Sequence, residues 1–236
     1  MGKPHNGPSG HAPGDFDIYL LAQSWSPHFC CKNADRCNTV PWAFSARHLS
    51  LHGLWPGFST PRDGGQTFPQ NCEAAKKLFP NLLPREYIDV APSFVVWDPS
   101  EHKAKVGDLG KHEWKKHGTC TGLAPDAYFG EALRAFSSLP GDRGTPTIMS
   151  NAVGGQVATQ ALRAAYSKRV ALSADKQCRL TEVTSCWQKL PDGRVGAQVE
   201  CPEHVMRGRD RADNCSALKI TQLGQCLAND AQKRKR

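Results

Sequence analysis

Apolar positions run as strands at both ends of the chain and recur at helical spacing in its middle. Phe16 to Trp25 (FDIYLLAQSW) is aromatic and aliphatic enough for a buried strand. A cysteine-bearing loop follows, from Ser26 to about Trp42. Leu49 to Trp55 (LSLHGLW) alternates like a strand and stops at Pro56-Gly57, a turn pair; residues 59–71 read as loop. Helical spacing then takes over: Glu73 to Phe79, Arg85 to Val96 with Pro92 interrupting, Lys111 to Lys116, Asp126 to Ser138 starting behind Pro125, and the Ala-rich Gln156 to Tyr166. Strand signals return over Cys178–Trp187, Arg194–Cys201 and Ala217–Leu223. Strands at both ends with helices between predict an α+β fold, a central antiparallel sheet that both ends of the chain complete and helices pack. Residues 1–14 read as a disordered arm, 15–227 as a single domain without an internal linker, and 228–236 as a basic tail ending in QKRKR.

The chain has 236 residues, of which 39% are hydrophobic, enough for one sizeable core. No apolar run approaches the ~18 residues of a membrane helix. The ten cysteines change the picture more. They lack the C-x2-C pairs of zinc knuckles, so disulfides and an oxidising compartment are expected. Residues 1–15 carry no apolar core of an export signal. The net charge of +8 favours polyanions such as nucleic acid, although a basic protein without such a partner has the same composition.

Candidate chemistry concentrates in LGKHEWKKHGTC, residues 109–120. A zinc helix needs histidines at i and i+4, whereas His112 and His117 stand at i and i+5. At ~100° per residue their side chains splay by about 140°, too far for one ion. Glu113 and Lys116 fall within the same sector, and Glu113 is placed at i,i+4 to orient or acidify His117. Such a face could bind and cleave a phosphodiester, whose transition state gathers negative charge on its non-bridging oxygens. An exposed helix with ordinary i,i+4 pairs explains the pattern equally well. His52, in LHGLWPG, supplies a second candidate. Two separate imidazoles can act as base and acid, and RNA brings its own nucleophile in the 2′-OH.

With both segments in view, LHGLWPG (51–57) and KHEWKKHGTC (111–120) resemble the two active-site segments of the ribonuclease T2 family. The likeness extends more loosely from Asp15 to about Cys226. It implies a disulfide-stapled α+β sheet and a secreted, vacuolar, lysosomal or periplasmic endoribonuclease. The implied enzyme is a monomer without metal or cofactor. It would cleave single-stranded RNA through a 2′,3′-cyclic phosphate with weak base preference. The same resemblance implies His117 as base and His52 as acid, Glu113 and Lys116 stabilising the phosphorane, and Trp55 and His112 holding the phosphate. Gln23 matches a position near a base pocket, and Phe58 and Phe68 could supply stacking faces. Leu109 and Gly110 stand where many relatives carry aromatics, so Trp97 is an alternative platform. The implied disulfides are Cys72–Cys120, Cys178–Cys226, Cys201–Cys215 and Cys37 with Cys30 or Cys31, leaving the other of that pair for Cys186. Two rival readings are a secreted cysteine-rich binding protein that kept this fold without catalysis, and a metal-dependent nuclease or protease.

Overall fold

The computed structural model describes residues 10–37, 39–72, 83–100 and 102–225. The helix expected over 73–79, Cys226 and the basic tail lie outside the described residues, as does the side chain of Trp97.

The central sheet is built on β1 (Ile18–Ser24), which pairs antiparallel with β2 (Ser50–Gly57) on one side. On the other it pairs antiparallel with the long β7 (Leu180–Lys189). The far edge of β7 is shared by β6 (Ala171–Ala174) and β8 (Val195–Val199), both antiparallel to it. β1 is thus central, and its run from Ile18 to Ala22 is continuously apolar because both its faces are covered. Tyr19 and Leu21 enter the larger core with Leu51, Leu54, Trp114 and Phe129, whereas Ile18, Leu20 and Ala22 face a smaller cluster with Trp55, Val205 and Met206.

Helices close the two faces. α3 (Asp108–Lys116) and α4 (Pro125–Ser137) cover the larger core. Pro125 occupies the first turn of α4, where a missing N–H costs nothing, so Asp126 lies inside the helix rather than capping it. α7 (Glu203–Arg209) covers the smaller cluster through Val205 and Met206. The remaining elements are short: α1 (Ser26–Lys32), α2 (Tyr87–Val90), the hairpin β3 (Val95–Asp98) and β4 (Lys103–Val106), α5 (Thr147–Ser150), α6 (Thr159–Ala164), and β5 (Gln156–Ala158) paired with β9 (Ala217–Lys219).

Several expectations are corrected. The loop expected over 26–42 contains α1, which starts at Ser26-Pro27. The helix expected over Arg85–Val96 ends at Val90, two residues before Pro92, and the chain goes on as β3. Gln156–Ala158 is a strand because Val157 packs inward opposite Leu218; helix begins only at Thr159. β4, β6, α5 and α7 have no counterpart in the sequence reading. Residues 11–14, expected in the disordered arm, are anchored: His11 bonds Asp15 at 2.6 Å and Gln66 at 2.9 Å, and Gly14 N donates to Cys120 O.

Two disulfides form as expected, Cys72–Cys120 and Cys30–Cys37. Cys186 pairs with Cys201, not with Cys31, because the β7–β8 hairpin sets Cys186 opposite Val199, two residues short of Cys201. Cys178 pairs with Cys215 rather than Cys226: Lys219 N donates to Cys178 O, which holds the end of β9 beside Cys178, with Cys215 two residues before that strand. The expected Cys201–Cys215 bridge falls with these two. Cys31 is itself disulfide-bonded.

Candidate active site

His52 owes its orientation to a defect in the sheet. In the β1–β2 register Ala22 faces Gly53 and Gln23 faces Leu51, so His52 is an extra residue without a partner on β1. Such a bulge re-aims a side chain at the rim of a sheet. Here it lets Leu51 and Leu54, three apart, both enter the larger core, while His52 and Trp55 share the other face. Gly53 is obligatory between them, since a Cβ would overlap Glu113 Oε2 and Trp55 Nε1.

The second segment arrives on α3. The helix begins at Asp108, three residues before the expected start, and runs close to the chain before it. A Cβ at Gly110 would stand 2.7 Å from Val106 and 3.3 Å from Phe94, so only glycine fits there. His117 is the C-cap, its N–H donating to Glu113 O, and Cys120 just beyond is tied to Cys72. Lys115 and Lys116 sit in the last turn, where cations meet the negative end of the helix dipole.

Trp55 joins the two segments. Its indole lies 5.4 Å from the His52 ring and 5.3 Å from the His117 ring, centroid to centroid. Its N–H donates to Glu113 Oε2 at 2.6 Å. Glu113, 2% exposed, therefore spends its carboxylate on Trp55, and His117 Nδ1 is buried without a hydrogen-bond partner among the described residues. This corrects the expectation that Glu113 orients His117. Lys116 Nζ reaches toward the Phe68 ring, 5.8 Å away, and His112, exposed, has its pKa lowered by partial burial and by the charges of Lys116 and His52.

The electrostatics separate the two imidazoles. Burial pushes His117 well below the ordinary histidine range, helped by the positive field of Lys116, His112, Arg209 and His52. Burial also works against charge on His52, but the Glu182 hydrogen bond and the carboxylates of Glu113 and Glu182 outweigh it, and its pKa is raised. Burial raises the Glu113 carboxyl, against the pull of His52, Trp55 and Lys116.

Two clefts flank this centre. One, about 450 Å³, is bordered by Trp55, Phe68, Lys116, His117, His204 and Arg209. The other, about 590 Å³, is bordered by Phe29, Ser50, His52, Ser93, Asp108 and Leu109. Phe68 is half-exposed and faces the first. Phe58 does not meet the expectation of a stacking face. It is buried in the larger core, with the Arg62 guanidinium 3.9 Å from its ring. Gln23 is fully buried and donates to Gly144 O at 3.0 Å, which makes it a structural bridge rather than a base contact. Among the described residues no group of three His, Cys, Asp or Glu side chains is arranged to hold a metal ion.

The model of the ribonuclease T2 family matches residues 16–194. The chain belongs to the ribonuclease T2 family. It is an RNA-cleaving enzyme of that family, and its disulfides fit an oxidising compartment. It is 29% identical to ribonuclease I of Escherichia coli over 189 residues, 71% of this chain and 70% of that protein. The fold is similar to that of trichomaglin, described as an S-like ribonuclease, with TM-score 0.54, 16% identity and coverage of 89% of this chain and 99% of that one. It is also similar to a point mutant of RNase MC1 in complex with 5′-UMP, with TM-score 0.51, 19% identity and coverage of 86% of this chain and 98% of that one.

Two residues beside His52 escaped the sequence reading. Glu182 Oε2 lies 3.0 Å from His52 Nδ1, and Arg209 donates to Glu182 Oε1 at 3.3 Å while lying 4.4 Å from the Trp55 ring. Glu182 is a charged residue directly before five buried ones, Val183 to Trp187, which was the available signal. Arg209 lies beyond the family-matched segment, among other arginines, and nothing in the sequence singles it out.

Proposed function

We propose that this chain is a metal-independent endoribonuclease that cleaves single-stranded RNA by attack of the 2′-OH on the adjacent phosphorus. The observation that carries the reading is the pair of imidazoles on either side of Trp55 with oppositely displaced pKa values. Neutral His117 takes the 2′-OH proton as the O2′–P bond forms. Charged His52 gives its proton to the 5′-oxygen as the P–O5′ bond breaks, leaving a 2′,3′-cyclic phosphate. Lys116 offers positive charge and His112 a ring N–H donor to the phosphorane oxygens, and Glu113 acts through its bond to Trp55.

The roles assign the clefts. The nucleotide that supplies the 2′-OH belongs beside His117, in the cleft that offers Phe68 for stacking. The leaving nucleotide belongs beside His52, in the cleft bordered by Leu109. A stacking face grips any base, in keeping with weak base preference. An unstacked strand fits two such clefts better than a duplex does. We further propose a monomer that works without cofactor in a secreted, vacuolar, lysosomal or periplasmic setting.

Incubation with RNA in EDTA, beside His52→Ala and His117→Ala, tests the reading. Cleavage should persist in EDTA, yield cyclic phosphate ends, spare DNA, and fall by roughly 10²–10⁴ in each variant. Undiminished cleavage by the double variant, or abolition by EDTA, would sink it.

A further inference from the structure

Beyond the two active-site segments, a third strand and the last described helix reach the same histidine. Glu182 on β7 faces Ser24 of β1 in the sheet register and projects onto the face that carries His52. One carboxylate oxygen, Oε2, lies 3.0 Å from His52 Nδ1; the other, Oε1, lies 3.3 Å from a guanidinium nitrogen of Arg209 and 3.2 Å from Thr184 Oγ1. Both oxygens are therefore engaged, and the carboxylate cannot swing away without breaking bonds on two sides. Arg209 is held in turn by the Trp55 ring, 4.4 Å away. Among the described residues His52 makes no other side-chain hydrogen bond, so its Nε2 is the free nitrogen and the ring borders the second cleft.

We infer that Glu182 is the positioning residue of His52, fixing the Nδ1–H tautomer and presenting Nε2 to the leaving oxygen, and that Arg209 anchors that carboxylate. A carboxylate on one imidazole nitrogen both orients the ring and stabilises its charged form. The inference rests on the reading of His52 as the acid. It adds to the catalytic machinery a residue near the end of the family-matched segment and one beyond it.

The charges around His52 give the inference a signed test. Glu182 faces it from β7, Glu113, His112 and Lys116 belong to α3 with His117 at its end, and Arg209 comes from α7. The two carboxylates favour its proton; Arg209 opposes it. Glu182→Gln keeps the shape and loses the charge, so the His52 titration followed by NMR should move to lower pH. Arg209→Gln should move it to higher pH. A packing defect has no reason to produce opposite shifts. The alkaline limb of kcat/KM should follow each shift, with roughly tenfold or greater loss above neutral pH for Glu182→Gln.

An unmoved His52 titration in Glu182→Gln would overturn the inference. A shifted titration with full activity in His52→Ala would instead overturn the assignment of His52 as acid and leave the pairing standing. Should Glu182→Gln not fold, ¹⁵N-histidine spectra of the unaltered protein decide. The neutral form of His52 should carry its proton on Nδ1, and finding it on Nε2 would overturn the inference.

Discussion

Trp55 Nε1 donates to Glu113 Oε2 at 2.6 Å, so a strand residue of the first segment satisfies a buried carboxylate of the second. The bond crosses directly over Gly53, whose missing side chain makes room for it. It fixes α3 against β2 at the point where the His52 and His117 rings flank Trp55.

Trp55→Phe should therefore cost more than an indole's surface. The ring under Arg209 remains, but Glu113 loses its donor in a site where burial already favours the neutral acid. An unsatisfied buried acceptor costs about 1–3 kcal/mol. Urea unfolding should show a loss of that size, and kcat should fall more than KM rises. Stability and rate both equal to those of the unaltered protein would show that the bond is incidental.

The pH profile follows from the two histidines. In the proposed mechanism His117 must be neutral to accept a proton, so activity should rise with pH through its depressed pKa. In the same mechanism His52 must be charged to give one, so activity should fall as pH passes its raised pKa. The kcat/KM profile should be a bell whose limbs lie on opposite sides of the ordinary histidine value of ~6.5. Residual activity of His52→Ala should lack the alkaline limb, and that of His117→Ala the acidic one. A rate independent of pH between about 4 and 9 would contradict two-imidazole catalysis.

The sequence made the strand–helix–strand order legible, and it singled out the four residues of the proposed site, because short-range pattern carries both. β1 was readable from FDIYLLAQSW because a strand covered on both faces carries an unbroken apolar run, here Ile18 to Ala22. His52, Glu113, Lys116 and His117 lie in two short segments whose residue types state their chemistry. What was not legible depends on register. The His52 bulge exists only in the β1–β2 pairing, and the Cys186–Cys201 bridge only in the β7–β8 pairing. Gln23 and Phe58 looked like surface contacts because burial of a single polar or aromatic residue is decided by tertiary packing. Arg209 sits on a seven-residue helix whose local sequence is polar and whose docking uses Val205 and Met206.

The Cys72–Cys120 bridge ties the chain after the Phe68 loop to the end of the α3 segment, beside a bond from Asn71 N to Lys116 O at 2.9 Å. Its cysteines are 48 residues apart, which in the loop-entropy account stabilises the fold by about 4 kcal/mol. Replacing both by serine should lower stability by about that amount in urea. Activity at low temperature should fall as well, because the bridge holds Phe68 near His117, 6.2 Å between ring centroids. Full activity with lowered stability would assign the bridge to the fold alone.

Phe68 separates binding from chemistry. It borders the cleft beside His117 but offers neither a proton nor a charge, and Lys116 Nζ stands 5.8 Å from its ring. If a base stacks there, Phe68→Ala removes about 1–3 kcal/mol of binding, roughly 5- to 150-fold. Stacking acts alike on the bound ground state and the transition state, so the loss should fall on KM with kcat retained. Phe68→Trp should restore KM, because any broad π-face serves a base of either size. A loss confined to kcat would mean instead that Phe68 acts by holding the His117 ring, and the upstream base would then need another platform.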